Sequence, residues 1–146
     1  MKVTVQRVLQ ASCIVEGEVV SAIGPGLLLL IGFTTTDTIN EVELMVKKIA
    51  NLRIFEDENG KMNHSIHSIN GQILAISQFT LYADTHKGNR PSFINSMNPI
   101  LANDLYQKMI DLLNKEYNID TKPGLFGAHM KLDVLCDGPV TINLEY

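Results

Sequence analysis

The run Leu27-Leu28-Leu29-Leu30-Ile31 is the longest unbroken apolar stretch in the chain, and Gly24-Pro25-Gly26 stands immediately before it. A short continuous apolar run behind a turn signal is the pattern of a strand buried on both faces. Leu27 to Phe33 is therefore expected to form a central strand, and such a strand requires a layer of structure on each side. The run is far too short to cross a bilayer. The 146 residues contain no linker, so the chain reads as one domain, residues 1–146, long enough to bury a single core.

The remaining segments take their roles around that strand. Lys2 to Arg7 alternates, with Val3 and Val5 on one face, Thr4 and Gln6 on the other, and Arg7 set against the apolar face. A second strand is expected at Ser12 to Val15, with Glu16-Gly17-Glu18 turning into Val19 to Ile23. Thr36, Asp37 or Thr38 can cap a helix running to about Asn51, because Ile39, Val42, Leu44, Met45, Ile49 and Leu52 recur at helical spacing. Arg53 to Glu56 reads as a short strand, turned by Asp57-Glu58-Asn59-Gly60 into Lys61-Met62-Asn63. Asn70-Gly71 then leads into a strand from Gln72 to Phe79.

Asp84 to Pro91 is polar and carries Gly88 and Pro91, which predicts a surface loop. Asn98-Pro99 starts a second helix, with Leu101, Leu105, Met109, Leu112 and Leu113 as its apolar stripe, ending by Tyr117. Lys122-Pro123-Gly124 breaks the chain. Met130 to Cys136 alternates, and a final strand from Val140 to Leu144 closes a hairpin around Asp137-Gly138. Two helices among seven or eight strands make a mixed α and β domain.

Chemistry is most concentrated where the apolar Ile73-Leu74-Ala75-Ile76 switches abruptly to Ser77-Gln78-Phe79-Thr80-Leu81-Tyr82-Ala83-Asp84. A buried strand that carries a hydroxyl, an amide and a second hydroxyl out of the core gives each a position anchored by backbone. Taken alone, this is also how an ordinary strand ends in a polar loop.

A second segment, Asp137-Gly138-Pro139-Val140-Thr141, changes the balance. Together, Ser77 to Leu81 (SQFTL) and Gly138 to Thr141 (GPVT) resemble the marks of the D-aminoacyl-tRNA deacylase family. The likeness extends, in family order, through Val5-Gln6-Arg7-Val8, Arg53-Ile54-Phe55, Gly60-Lys61-Met62-Asn63, Arg90-Pro91-Ser92-Phe93 and Gly124-Leu125-Phe126-Gly127-Ala128, nearly the whole chain. The resemblance implies an α/β domain of three layers, two stacked mixed β-sheets of barrel-like form with two helices on one side. It also implies a homodimer, a substrate held by the 3′ acceptor end of an aminoacyl-tRNA, and hydrolysis of D-aminoacyl and glycyl esters with L-aminoacyl esters rejected.

In the family a Gly-cis-Pro element, here Gly138-Pro139, enters the active site of the other subunit as a rigid wall. Where Cys136 stands the family commonly has Asn. The ester is already activated, so the enzyme needs to position water and stabilise an oxyanion rather than generate a potent nucleophile. Ser77, Gln78 and Thr80, with backbone amides, supply donors. A threonine nucleophile requires an adjacent base, and no spacing sets His86 or His129 beside Thr80. Thr80 is thus expected to position groups, and the family resemblance implies that the substrate's 2′-hydroxyl assists. Gln78 and Phe79 are expected on the terminal adenosine and its ribose, and Arg7 either steadies the Gly-Pro element or is a surface cation.

No cofactor is expected. His64 and His67 have the spacing of a helical metal pair, but Gly60, Asn70 and Gly71 argue for loop, and no Cys-x-x-Cys occurs. Cys13 and Cys136 are expected as free thiols. The start of the chain has no basic region followed by an apolar one, so a cytoplasmic protein with no membrane association is expected. The net charge of −4 weighs against a large basic footprint; gripping a single-stranded end requires only local cations such as Lys87 and Arg90, or Lys47, Lys48 and Arg53. Two rival readings are a noncatalytic dimeric module that binds tRNA ends, and a metal-assisted hydrolase using His64, His67 and His86.

Overall fold

A computed structural model describes residues 1–146. In chain order the elements are β1 (Lys2–Val15), β2 (Glu18–Ile23), β3 (Gly26–Gly32), α1 (Ile39–Ala50), β4 (Phe55–Glu56), β5 (Met62–His64), β6 (Gln72–Ser77), α2 (Pro99–Lys115), β7 (Thr121–Pro123) and β8 (Lys131–Glu145). Short 3₁₀ turns occupy Ile66–Ile69 and Phe79–Tyr82.

The apolar run is central, as its composition requires. β3 pairs antiparallel with β1 and parallel with β6, and β6 pairs parallel with β7. Leu27, Leu29 and Ile31 join a core with Ile73 and Ala75 beneath the helices, whereas Leu28, Leu74 and Ile76 join Val8, Ala11, Cys13 and Ile23 in a second core. Alternate side chains of one strand thus fill two layers. Parallel pairing demands long crossovers, and the two helices lie within the crossovers β3 to β6 and β6 to β7.

The sheet curls almost onto itself. Lys122 Nζ donates to the Ala22 carbonyl at 2.9 Å, and Ser21 Oγ donates to the Pro123 carbonyl, so β2 and β7 meet through side chains. This barrel-like mixed sheet, the small β4–β5 sheet and the two helices form the α/β arrangement expected. No helix is long and apolar enough to cross a membrane.

Three sequence expectations require correction. The two initial strands are one, because β1 pairs on one edge with β8 and on the other with β3 and then β2. The expected C-terminal hairpin is also one strand. Gln6 pairs with Thr141 and Val8 with Cys136, leaving residues 137–140 opposite Arg7 alone. Asp137-Gly138 therefore sits in a bulge, which bends a strand without reversing it and tolerates proline. Finally, Arg7 does not oppose the apolar face: it shares the parity of Val3 and Val5 and is buried with them.

Helix starts follow local chemistry. Thr38 Oγ1 accepts from the Asn40 amide at 3.2 Å and Glu41 Oε2 accepts from the Thr38 amide at 2.7 Å, a reciprocal cap. Asn98 Oδ1 accepts from the Ile100 amide at 2.9 Å, with Pro99 in the first turn. On the predicted stripes, Ile39, Leu44 and Leu101 are exposed, and Tyr106 is buried instead, donating to the Ala75 carbonyl at 2.7 Å.

The cap of α1 and the turn in which Asp57 accepts from the Asn59 and Lys61 amides and the Asn63 side chain both make stability depend on acid. Bonds from Thr38, its hydroxyl foremost, hold the Glu41 carboxyl below the ordinary range. The Asn63 side chain, then the Lys61 and Asn59 amides, do the same for Asp57. A depressed folded pKa contributes stability that is complete above the unfolded value and is lost as pH falls through the folded one. The melting temperature should therefore be level from pH 7 to about 5 and decline below about pH 4, with a shallower decline in a Glu41→Gln, Asp57→Asn variant. Superimposable acid profiles for the two proteins would remove these carboxyls from the explanation.

Candidate active site

β6 carries the apolar segment up to Ser77 and then stops, two residues short of the expected end at Phe79. The Gln78 amide makes a last bond to the Ile31 carbonyl at 2.6 Å, and the chain then winds into the 3₁₀ turn, closed by Leu81 N to Gln78 O at 3.2 Å and Ala83 N to Thr80 O at 3.0 Å. The physical reason lies on the neighbouring strand. An added Cβ on Gly32 would stand 2.9 Å from the Gln78 carbonyl oxygen and 3.1 Å from Leu81 Cβ. Glycine there lets the turn fold across the end of β3.

Beside this turn lies a cleft of about 650 Å³. Ile31 of β3, Phe33 just beyond it and Ile76 of β6 line one side, with Ser77, Gln78 and Phe79 at the end of β6. Phe93, the segment Ser96 to Pro99 and Ala102 form a second wall, and Phe126 to Met130 with Leu132 a third. The lining is mostly apolar, as small-molecule sites are, and His129 is its only ionisable side chain. Phe79 is 57% exposed and meets Phe93 edge to face, with ring centroids 4.9 Å apart.

Of the predicted donors, Ser77 and Gln78 line the cleft together with Phe79. Thr80 is exposed and does not line it; its hydroxyl is tied to the cleft through Gln78, whose Nε2 donates to Thr80 Oγ1. Neither histidine pairs with Thr80. His86 Nδ1 lies 2.7 Å from Asp84 Oδ1 on an exposed loop, and the His86 amide foremost holds the Asp84 carboxyl below its ordinary range. No group of three or more His, Cys, Asp or Glu side chains is arranged to hold a metal ion, so His64, His67 and His86 form no such cluster. Cys13 is buried and Cys136 exposed, both as free thiols.

Arg7 and Gly138-Pro139 form a separate constellation. Arg7 Nε lies 2.9 Å from Asp137 Oδ2, its Nη1 donates to the Ile54 carbonyl at 2.7 Å, and its Nη2 lies 3.6 Å from Glu56 Oε1. The guanidinium thus ties the bulge of β8 to the small sheet. The Gly138-Pro139 peptide is cis, and the dipeptide is exposed and does not line the cleft of its own chain. Arg7→Ala would leave the buried Ile54 carbonyl and the half-buried Asp137 without their partner. We expect a cost of about 2–3 kcal/mol, measured by urea unfolding; a loss below about 0.5 kcal/mol would mean that the cluster contributes nothing to stability.

Sequence reasoning missed much of the cleft. Ala102 and Met130 carry no signal, His129 enters only as a base for Thr80, and Phe126-Gly127-Ala128, as part of a family-like segment, offers the one pointer to that wall.

The chain matches a family model described as D-Tyr-tRNA(Tyr) deacylase over residues 4–145. It is 51% identical over 145 residues to a D-aminoacyl-tRNA deacylase of Chloroherpeton thalassium, covering 99% of this chain and 95% of that one. A protein of the same name from Fusobacterium nucleatum shows the same identity and coverage. Among solved structures, one titled "c-Myc DNA Unwinding Element Binding Protein" superimposes with a TM-score of 0.95 at 46% identity, covering 100% of this chain and 99% of that one. A probable eukaryotic D-amino acid tRNA deacylase shares the fold at a TM-score of 0.84 and 16% identity, over 98% of each chain. With the match extending over nearly every residue that builds the cleft and the bulge, this chain belongs to the D-Tyr-tRNA(Tyr) deacylase family.

Proposed function

We propose that the cleft hydrolyses the ester joining a D-amino acid, or misattached glycine, to the terminal ribose of tRNA. The observation that carries this reading is the placing of Ser77, Gln78 and Phe79 together at one rim of an apolar cleft, in a chain that belongs to this family. Water attacks the ester carbonyl carbon, the bond to the ribose oxygen breaks, and that oxygen takes up a proton as the free hydroxyl. Ser77, Gln78 and the amides of the turn supply donors toward the oxyanion. Thr80, held by Gln78, orders these groups, and the 2′-hydroxyl of the substrate assists. A covalent threonine mechanism requires a paired base, and the bond to Thr80 Oγ1 comes from the Gln78 amide rather than from a histidine.

Recognition of the tRNA end rests on stacking rather than charge. The cleft has no Lys or Arg and the chain carries −4, so an extended duplex is a poor ligand. A single terminal base on Phe79 is a good one, with Lys87 and Arg90 on the neighbouring loop available to the phosphates. As the family resemblance implies, Gly138-Pro139 serves a second copy, lining that copy's cleft and excluding L side chains sterically; its exposure outside the cleft of its own chain supports this. The working form is then a homodimer, acting in the cytoplasm where aminoacyl-tRNA is used.

The test is hydrolysis of one tRNA charged in parallel with the D and L forms of the same amino acid. The D ester should be cleaved at least tenfold faster, about 1.4 kcal/mol of discrimination. Equal rates would end the chiral wall; no hydrolysis of either would favour the noncatalytic module.

A further inference from the structure

Phe93 lies outside the SQFTL segment, yet the chain pins it beside that segment from both directions. On its N-terminal side Asp84 and Ser92 exchange two backbone hydrogen bonds of 2.8 Å. On its C-terminal side Thr34 Oγ1 donates to the Asn95 carbonyl at 2.7 Å, and the Met97 amide donates to the Phe33 carbonyl at 3.0 Å. Ser96 Oγ adds a bond to the Phe79 carbonyl at 3.2 Å. Residues 92–97 thus form a strap tied to β3's end and to the 3₁₀ turn, while residues 85–91 stay exposed.

The strap sets the ring geometry. Phe93 meets Phe79 at an interplanar angle of 70°. An edge-to-face pair of this kind favours one ring orientation over its alternatives, and Phe79 remains 57% exposed while so held. An aromatic ring that is half free in a cleft wall, yet fixed in tilt, suits a single unstacked base. Phe79 without Phe93 would be a loosely oriented ring on a short turn, and ordering it would oppose binding.

We propose that Phe93 is a positioning residue for tRNA-end recognition, holding Phe79 at the angle at which the terminal base stacks. This rests on the reading above that Phe79 receives that base. Stacking contributes to binding before and during the reaction alike, so its loss should raise KM and leave kcat nearly intact.

The experiment is a double-mutant cycle of Phe79→Leu and Phe93→Leu on the full-length protein, with D-tyrosyl-tRNA and, as a substrate that lacks the base but keeps the 2′-hydroxyl, the 3′-D-tyrosyl ester of ribose. Phe93→Leu should raise KM for the tRNA ester about three- to tenfold, with kcat changed less than about twofold. In the Phe79→Leu background it should add nothing, because coupled neighbours are not additive, and its effect on the ribose ester should be absent. Phe93→Tyr, which keeps the ring, should restore the wild-type KM, and Ser96→Ala gives a milder rise should Phe93→Leu fold poorly. Equal effects of Phe93→Leu with and without Phe79, or an unchanged KM in both Phe93→Leu and Ser96→Ala, would overturn the proposal. Phe79→Leu alone separates the two levels: if it raises KM while the Phe93 and Ser96 variants do not, only the strap's role fails; if it leaves KM unchanged, base stacking itself fails.

Discussion

Gly26→Ala is expected to cost more than about 4 kcal/mol, in the range reserved for outright steric conflict. Gly26 opens β3 and is paired at once with Val8 of β1 and Gln72 of β6. An added Cβ would stand 1.9 Å from the Gln72 carbonyl oxygen, 2.7 Å from its nitrogen and 2.8 Å from its carbonyl carbon. These are backbone atoms within the central ladder, so no rotamer change relieves the contact. β6 would have to move, and with it the Ser77 to Thr80 segment that it delivers. Gly24→Ala is the control, since its Cβ would meet only Gln72 Oε1, at an ordinary 3.7 Å, and its cost should stay near 1 kcal/mol. Urea unfolding of both variants decides the matter; equal losses would mean that β3 and β6 do not approach as described.

Gln78→Ala is expected to lower kcat toward D-aminoacyl-tRNA by about 10²-fold with little change in stability. Gln78 is the residue through which the site is connected: its amide nitrogen bonds the Ile31 carbonyl, its side chain lines the cleft, and its Nε2 donates to Thr80 Oγ1. Alanine keeps the backbone bond and removes both side-chain functions. Thr80→Ala should cost less, because it leaves the Gln78 amide in the cleft, and Thr80→Ser should be close to wild type. A covalent threonine would give the reverse order, with Thr80→Ala inactive and Gln78→Ala mild. Activity untouched by either would return the segment to a purely structural role.

The features legible in the sequence were those that local physical chemistry controls. The unbroken run Leu27 to Ile31 required cover on both faces and has it, in two separate cores. Thr38 and Asn98 offered side-chain acceptors where helices begin, and both cap. The Ser77 to Thr80 segment announced itself by a change from apolar to polar residues that any environment would force to the surface.

What could not be read concerns residues that meet only after the chain has closed. From sequence Arg7 stands open between a surface cation and a support for the Gly-Pro element, and its burial is decided by Asp137 and the Ile54 carbonyl, which its charge meets across the fold. Asp137-Gly138-Pro139 carries turn chemistry, but pairing along β1 on both sides converts the turn into a bulge.

Sequence alone thus located both helices, most of the strand segments and the strand end that carries polar groups, because alternation, capping and apolar runs act over a few residues. Tertiary structure decided that Phe93, Ala102 and Phe126 to Met130 converge on Ser77 and Gln78, and that Thr80 and Gly138-Pro139 lie outside the cleft of their own chain. Those outcomes depend on strand register and on two crossovers returning their ends to the same side of the sheet. They are set by long-range pairing and packing, which no window of sequence contains.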